Sequence, residues 1–126
     1  MVLGRDMPSE LTRQVFAAVN AGDVTALVSR FLPPDGRIVF GNAEPMVGPA
    51  AIKAGLKDFY GTIKGLHHTV VNEWVVGPDT ILELSVRYDR LDGRSVTIPA
   101  VTLLHLDDQG RIHDYRVLVD LAPVYT

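Results

Sequence analysis

A chain of 126 residues with 47% hydrophobic content, a formal charge of −3 and no cysteine has the size of one compact domain, residues 1–126, burying roughly two thirds of its unfolded surface. Without any run of Lys or Arg it is not expected to bind nucleic acid, because a phosphate surface needs clustered positive charge. The lack of cysteine removes disulfides and thiolate chemistry, and four scattered histidines fit no zinc spacing, so no metal is expected.

The opening MVLGRDMPSE has no apolar core of about 7 to 15 residues, and no apolar span of about 18 residues follows, so a cytoplasmic protein without membrane contact is expected. Ser9 can cap a first helix over 10–20, where Leu11, Val15, Ala18 and Val19 recur at helical spacing and Gly22 ends the run. A second helix spans about 23–31 and stops at Pro33 and Pro34. RIVFGN at 37–42 reads as a short strand, and a third helix over about 49–64 follows Gly48. From His67 onward the alternation predicts strands at 67–76, 80–90, 94–106 and 111–121, separated by GPD, LDG and DDQG turn signals. Helices first and an antiparallel meander afterwards make an α+β fold.

The segment AAVNAGDVTALVSRF (17–31), followed by AEPMVGPAAIK (43–53), resembles the nuclear transport factor 2-like, or cystatin-like, superfamily, whose members include steroid Δ-isomerase, limonene epoxide hydrolase and SnoaL-like polyketide cyclases. The resemblance implies three N-terminal helices packed in a strongly curved antiparallel sheet, forming a cone with one pocket. It also implies sheet-to-sheet homodimers. Compared with the isomerase pattern, Val15 stands at the oxyanion-hole tyrosine, the stretch from Phe40 to Asn42 at the general base, and Thr102 at the protonated aspartate. Compared with the hydrolase pattern, Phe40-Gly41-Asn42 and Arg87-Tyr88-Asp89 align with two of its water-holding motifs, while Val117 replaces its last-strand aspartate. Both patterns place Tyr115 and Val117 inside the cone, with Val119 continuing the row. Asp114, Arg116 and Asp120 then face outward, unless a bulge reverses the register and brings Asp120 into the pocket.

Turn lengths predict the rest of the sheet. A two-residue Asp92-Gly93 loop and four-residue loops at 77–80 and 107–110 would oppose His68 to Asp89, Trp74 to Glu83, Asn72 to Ser85, Arg87 to Ile98 and Thr102 to Tyr115 on the inner face. Opposed side chains stand about 5 Å apart, so Asp89 and His68 could form a base dyad with Arg87 as oxyanion stabiliser. An ion network without function is the alternative, since inward charges must be paired. Phe40, Asn42, Tyr60, Trp74, Glu83, Thr102, Tyr115, Val117 and Val119 are the expected substrate-binding residues, several of them equally at home in a core. Leu82, Leu84, Val86 and Tyr88 would lie outside, a row apolar enough to require a second copy as cover.

Three functions fit. One is a small-molecule enzyme (isomerase, cyclase, lyase or hydrolase) using acid-base chemistry on a hydrophobic or partly polar ligand in a mostly apolar pocket. The others are a non-catalytic binding protein of the same fold and a structural dimerisation module. No glycine-rich phosphate loop or ligand cluster implies a cofactor.

Overall fold

The computed structural model describes residues 2–3 and 7–126, with side chains from residue 7 onward. A two-residue strand β1 (Val2–Leu3) precedes α1 (Glu10–Ala21). Ser9 caps α1 by accepting from the Thr12 N–H, and Gly22 closes it at φ 68°, a left-handed conformation that favours glycine. Asp23 caps a single turn, α2 (Val24–Ala26), which continues as a π-helical turn over Leu27–Phe31 and stops before Pro33. Then come β2 (Arg37–Phe40), β3 (Met46–Val47), α3 (Pro49–Tyr60), β4 (Ile63–Val76), β5 (Asp79–Arg90), β6 (Ser95–Leu106), β7 (Ile112–Leu118) and α4 (Ala122–Tyr125). The helix expected over 49–64 ends at Tyr60, because Gly61 and Thr62 turn back onto the Lys57 and Phe59 carbonyls. The strand expected from His67 therefore starts at Ile63.

The sheet order is β1-β4-β5-β6-β7-β2-β3, antiparallel throughout except where β2 runs parallel to β7. The helices lie on one face of this curved sheet. Val15, Phe16, Leu27, Phe31, Ile52 and Leu56 pack against Leu82, Leu84, Val86, Ile98, Leu104 and Tyr115 in one core. None of the helices among the described residues is long and apolar enough to cross a membrane.

The expected pairing across β5 is overturned. Its turn into β6 holds three residues: Arg90 N–H bonds to the Arg94 carbonyl, Gly93 N–H bonds back to the Arg90 carbonyl, and Gly93 takes φ 89°. One added residue shifts the register by one and reverses a face. Leu82, not Glu83, is thus opposite Thr102. Leu82, Leu84, Val86 and Tyr88 are at most 2% exposed inside the cone, so the row expected to need a second copy is covered by the chain's own helices. The turn from β4 to β5 has two residues, Gly77 and Pro78, and β4 carries a bulge between Val70 and Asn72. Between β6 and β7 Thr102 faces Val117 and Leu104 faces Tyr115. That pairing is displaced by two residues from the expected one, a shift that preserves the face.

Candidate functional site

Inside the cone the helices and sheet leave a cavity of about 40 Å³, lined by Val19, Leu27, Ile38, Phe40, Leu56, Phe59, Tyr60, Leu66, His68, Val86, Tyr88, Ala100, Thr102, Tyr115 and Val117. That volume admits a few water molecules. Aromatic rings form much of the wall: Phe40 and Phe59 lie 4.9 Å apart between centroids, Phe59 and Tyr60 5.6 Å, and Phe59 meets Tyr88 edge-on at 6.4 Å.

His68 is the cavity's only lining imidazole. It stands on the inward side of β4 and stacks on Phe16 of α1 with ring centroids 4.6 Å apart. The last turn of α1 brings Asn20 to the same place. Asn20 Oδ1 accepts from the His68 backbone N–H at 3.0 Å, and a backbone N–H can only donate, which identifies that side-chain atom as the oxygen. His68 Nδ1 lies 2.8 Å from the same oxygen and must therefore carry the imidazole proton. This leaves Nε2 with its lone pair. Nε2 has no hydrogen-bond partner among the described residues, where no buried side-chain nitrogen or oxygen lacks one, so Nε2 is accessible.

Burial, with a smaller contribution from His67, lowers the His68 pKa to about 4. The imidazole is neutral at pH 7 and presents an acceptor. The tyrosines do the opposite. Burial raises Tyr60 and Tyr88 to about 12, and raises Tyr115 further, with added electrostatic contributions from Tyr60 and Tyr88. They remain protonated donors. The Tyr60 hydroxyl is engaged, donating to the Val19 carbonyl at 2.6 Å. The Tyr88 and Tyr115 hydroxyls bond to no group among the described residues and are free to serve a guest.

Of the residues expected from sequence, Phe40, Tyr60, His68, Thr102, Tyr115 and Val117 come together around the cavity. Val119 is half-buried beside the core, and Asn42 is exposed in the turn after β2. The His68–Asp89 dyad does not form. His68 is opposite Val86, and Asp89 is opposite Gly65, on the outer face, where it accepts from Ser95 Oγ at 2.7 Å and pairs with Arg87 at 3.3 Å. Arg87 and Glu83 point outward with it, and Glu83 accepts from Asn72 at 2.7 Å. Trp74, opposite Ile81, also faces out. The register shift at Gly93 accounts for the residues of β5 and, through the pairing of Trp74 with Ile81, for Trp74 as well; the bulge at Val71 then returns His68 to the inner face. Asp120 is exposed, its carboxylate accepting from the Ala122 N–H ahead of α4. Tyr88, expected on the outer face, lines the cavity instead, and Asn20 went unassigned in the sequence. Tyr88 was legible from the apolar alternation of Leu82, Leu84 and Val86 that it continues. Asn20 follows Phe16 by four residues and so shares its helix face.

Among the described residues no group of three His, Cys, Asp or Glu could hold a metal. A model of the SnoaL-like domain matches residues 12–115. The chain belongs to the SnoaL-like domain family. No curated protein matches it in sequence, but its fold is shared with solved structures. A hypothetical protein with a ketosteroid isomerase-like fold from Catenulispora acidiphila DSM 44928, in complex with trimethylamine, superposes with a TM-score of 0.81 at 20% identity, over 91% of this chain and 88% of that one. TerC, co-crystallised with polyporic acid, gives 0.79 at 18% identity over 90% and 92%. A putative SnoaL-like polyketide cyclase from Jannaschia sp. CCS1 gives 0.74 at 21% identity over 90% and 87%.

Proposed function

We propose that the cone of this SnoaL-like protein binds a small, largely apolar carbonyl compound and moves a proton on it. His68 Nε2 takes a proton from the carbon beside the carbonyl, while the Tyr88 and Tyr115 hydroxyls donate hydrogen bonds to the oxygen on which charge develops. The electron pair of the broken C–H bond becomes the enolate. The protonated Nε2 then returns its proton to another carbon, an isomerisation, or to the oxygen formed when the enolate attacks a second carbonyl, a cyclisation.

The observation that carries this reading is the fixed tautomer of His68: Asn20 holds the proton on Nδ1 and leaves Nε2 unpaired in a residue that lines the cavity. A base with a pKa of about 4 is weak, so the reaction depends on the phenolic donors to acidify the carbon. The putative polyketide cyclases of the same fold support carbonyl chemistry, as does the co-crystal of TerC with polyporic acid.

A second reading is favoured by the cavity's size. Sites for drug-sized ligands measure about 300–1,000 Å³, whereas this one measures about 40 Å³, as expected of a carrier that opens around its guest without converting it. Deuterium uptake from D2O into a panel of cyclic ketones and 1,3-diketones, followed by mass spectrometry, separates the two. Uptake that falls by about 100-fold or more in His68→Phe supports catalysis. Equal rates in both proteins refute a base role, and binding without uptake selects the carrier.

A further inference from the structure

Tyr60 belongs to three concavities at once. Its ring lines the inner cavity, a surface depression of about 430 Å³ with Gly22, Asp23, Lys53 and Lys57, and a second depression of about 230 Å³ with Asn20, Lys64 and Gly65. Tyr60 therefore stands between the small interior and both larger basins, and Leu66 adjoins it between the interior and the second. Tyr60 is held there by a single hydrogen bond to the Val19 carbonyl and by contact with Gly22, where an added Cβ would lie 3.8 Å from the ring.

The charge around this side chain is unusual for the molecule. The chain carries a formal charge of −3 and has only three lysines, Lys53, Lys57 and Lys64, and all three line these two basins. Lys53 and Lys57 are one helical turn apart on α3 and so share a face. All three are exposed, and none joins an ion pair among the described residues, where Arg13, Arg37, Arg87, Arg90 and Arg94 are each held by a carboxylate. The one acid lining the larger basin, Asp23, is engaged by the Ala26 N–H at 3.0 Å. Three free ammonium groups around the door of an apolar cavity form a receptor for negative charge.

We propose that the ligand of this cavity is an amphipathic anion, whose apolar part enters past Tyr60 while its carboxylate or phosphate stays outside among Lys53, Lys57 and Lys64. This rests on the cavity being a ligand site, and it adds the class of ligand: a small organic acid or phosphate ester, not a neutral molecule.

The test uses three probes with one ring system, 2-naphthylacetate, the neutral 2-naphthylacetamide and 2-naphthyl phosphate, in calorimetric titrations of the intact protein at low salt. Wild type is expected to bind one or both anions about tenfold more tightly than the amide, and raising the salt to about 0.5 M should largely remove that preference. Lys53→Gln/Lys57→Gln/Lys64→Gln should bind all three probes like the amide, with amide affinity unchanged. Whichever anion binds more tightly identifies the ligand's charged group. Equal binding of anions and amide to wild type, or a preference that survives the triple substitution, overturns the anion receptor while leaving the cavity a ligand site. No binding of any probe overturns both.

Discussion

At its N-terminal end α1 meets β4 through Glu73, and at its C-terminal end it meets the same strand through His68. The first junction is closed. Glu73 is 4% exposed and accepts from the Ser9 N–H at 2.8 Å, Ser9 Oγ at 2.9 Å and Thr12 Oγ1 at 2.5 Å. It does from the sheet what the third-residue glutamate of a capping box does from within a helix. The second junction is half spent: Asn20 takes the proton of Nδ1, and Nε2 is left over. In a regular strand residues 68 and 73 would face opposite sides, and the bulge between Val70 and Asn72 brings both inward. Two polar groups on one strand, docked to one helix, thus differ in unused hydrogen-bonding capacity. Full satisfaction is the signature of a structural tie, and a remaining lone pair in a cavity is the signature of a site.

That contrast breaks most easily through stability. Glu73→Leu strands the Thr12 hydroxyl and the Ser9 N–H, and is expected to cost about 3 kcal/mol in urea unfolding. His68→Phe keeps a ring against Phe16 and is expected to cost about 1 kcal/mol or less. A reversal of the two values would make His68 the tie and Glu73 the spare group.

Acid sharpens the contrast. The His68 pKa lies at about 4 in the folded protein, below its ordinary value of about 6.5. Between those values the unfolded chain binds a proton that the folded chain refuses. Stability therefore falls as the pH drops from about 6.5 to about 4, by up to about 3 kcal/mol, and this group contributes no pH dependence above that window. His113 opposes the trend. Hydrogen bonds donated by its ring to the Asp114 and Asp35 carboxylates raise its pKa, so its contribution is fully present below about 6.5 and is lost as the pH rises through the raised value. Comparing wild type with His68→Phe removes the His113 contribution. Urea midpoints from pH 7 to 4.5 should decline more steeply in wild type, and parallel curves would mean that His68 is not buried as a neutral group.

The helices were legible in the chain because capping and stopping residues mark them locally: Ser9, Gly22 and Pro33 bound what they were expected to bound. The face of β7 was legible from the resemblance, and Tyr115 and Val117 do line the cavity. The face of β5 was legible too, in the run Leu82, Leu84, Val86, Tyr88, but turn-length arithmetic pointed the other way. LDG closes as a three-residue loop, with Asp92 accepting from the Arg94 N–H, and a single residue decides which side of a strand is inside. The bulge at Val71 has no such mark, since neither a glycine nor a proline stands at Val70, Val71 or Asn72. The site was half legible for the same reason. His68 was placed inward, while its partner came from a helix 48 positions away in sequence and not from the neighbouring strand.

The smallest expected effect tests that reassignment of partners. Asp89 has a side chain 38% exposed, paired with an Arg87 that is 53% exposed, and exposed pairs of this kind contribute about 0–1 kcal/mol. Asp89→Asn keeps the acceptor for Ser95 Oγ and loses only the charge. Its unfolding midpoint should stay within about 0.5 kcal/mol of wild type, and its deuterium uptake into ketones should equal that of wild type. Inward and outward carboxylates are otherwise easily confused, because a conventional acid-base site would contain one and this cavity contains none. If Asp89→Asn lost uptake as His68→Phe is expected to, proton transfer would run through the outer face of the sheet, and the lone pair left on Nε2 would be only a byproduct of docking α1.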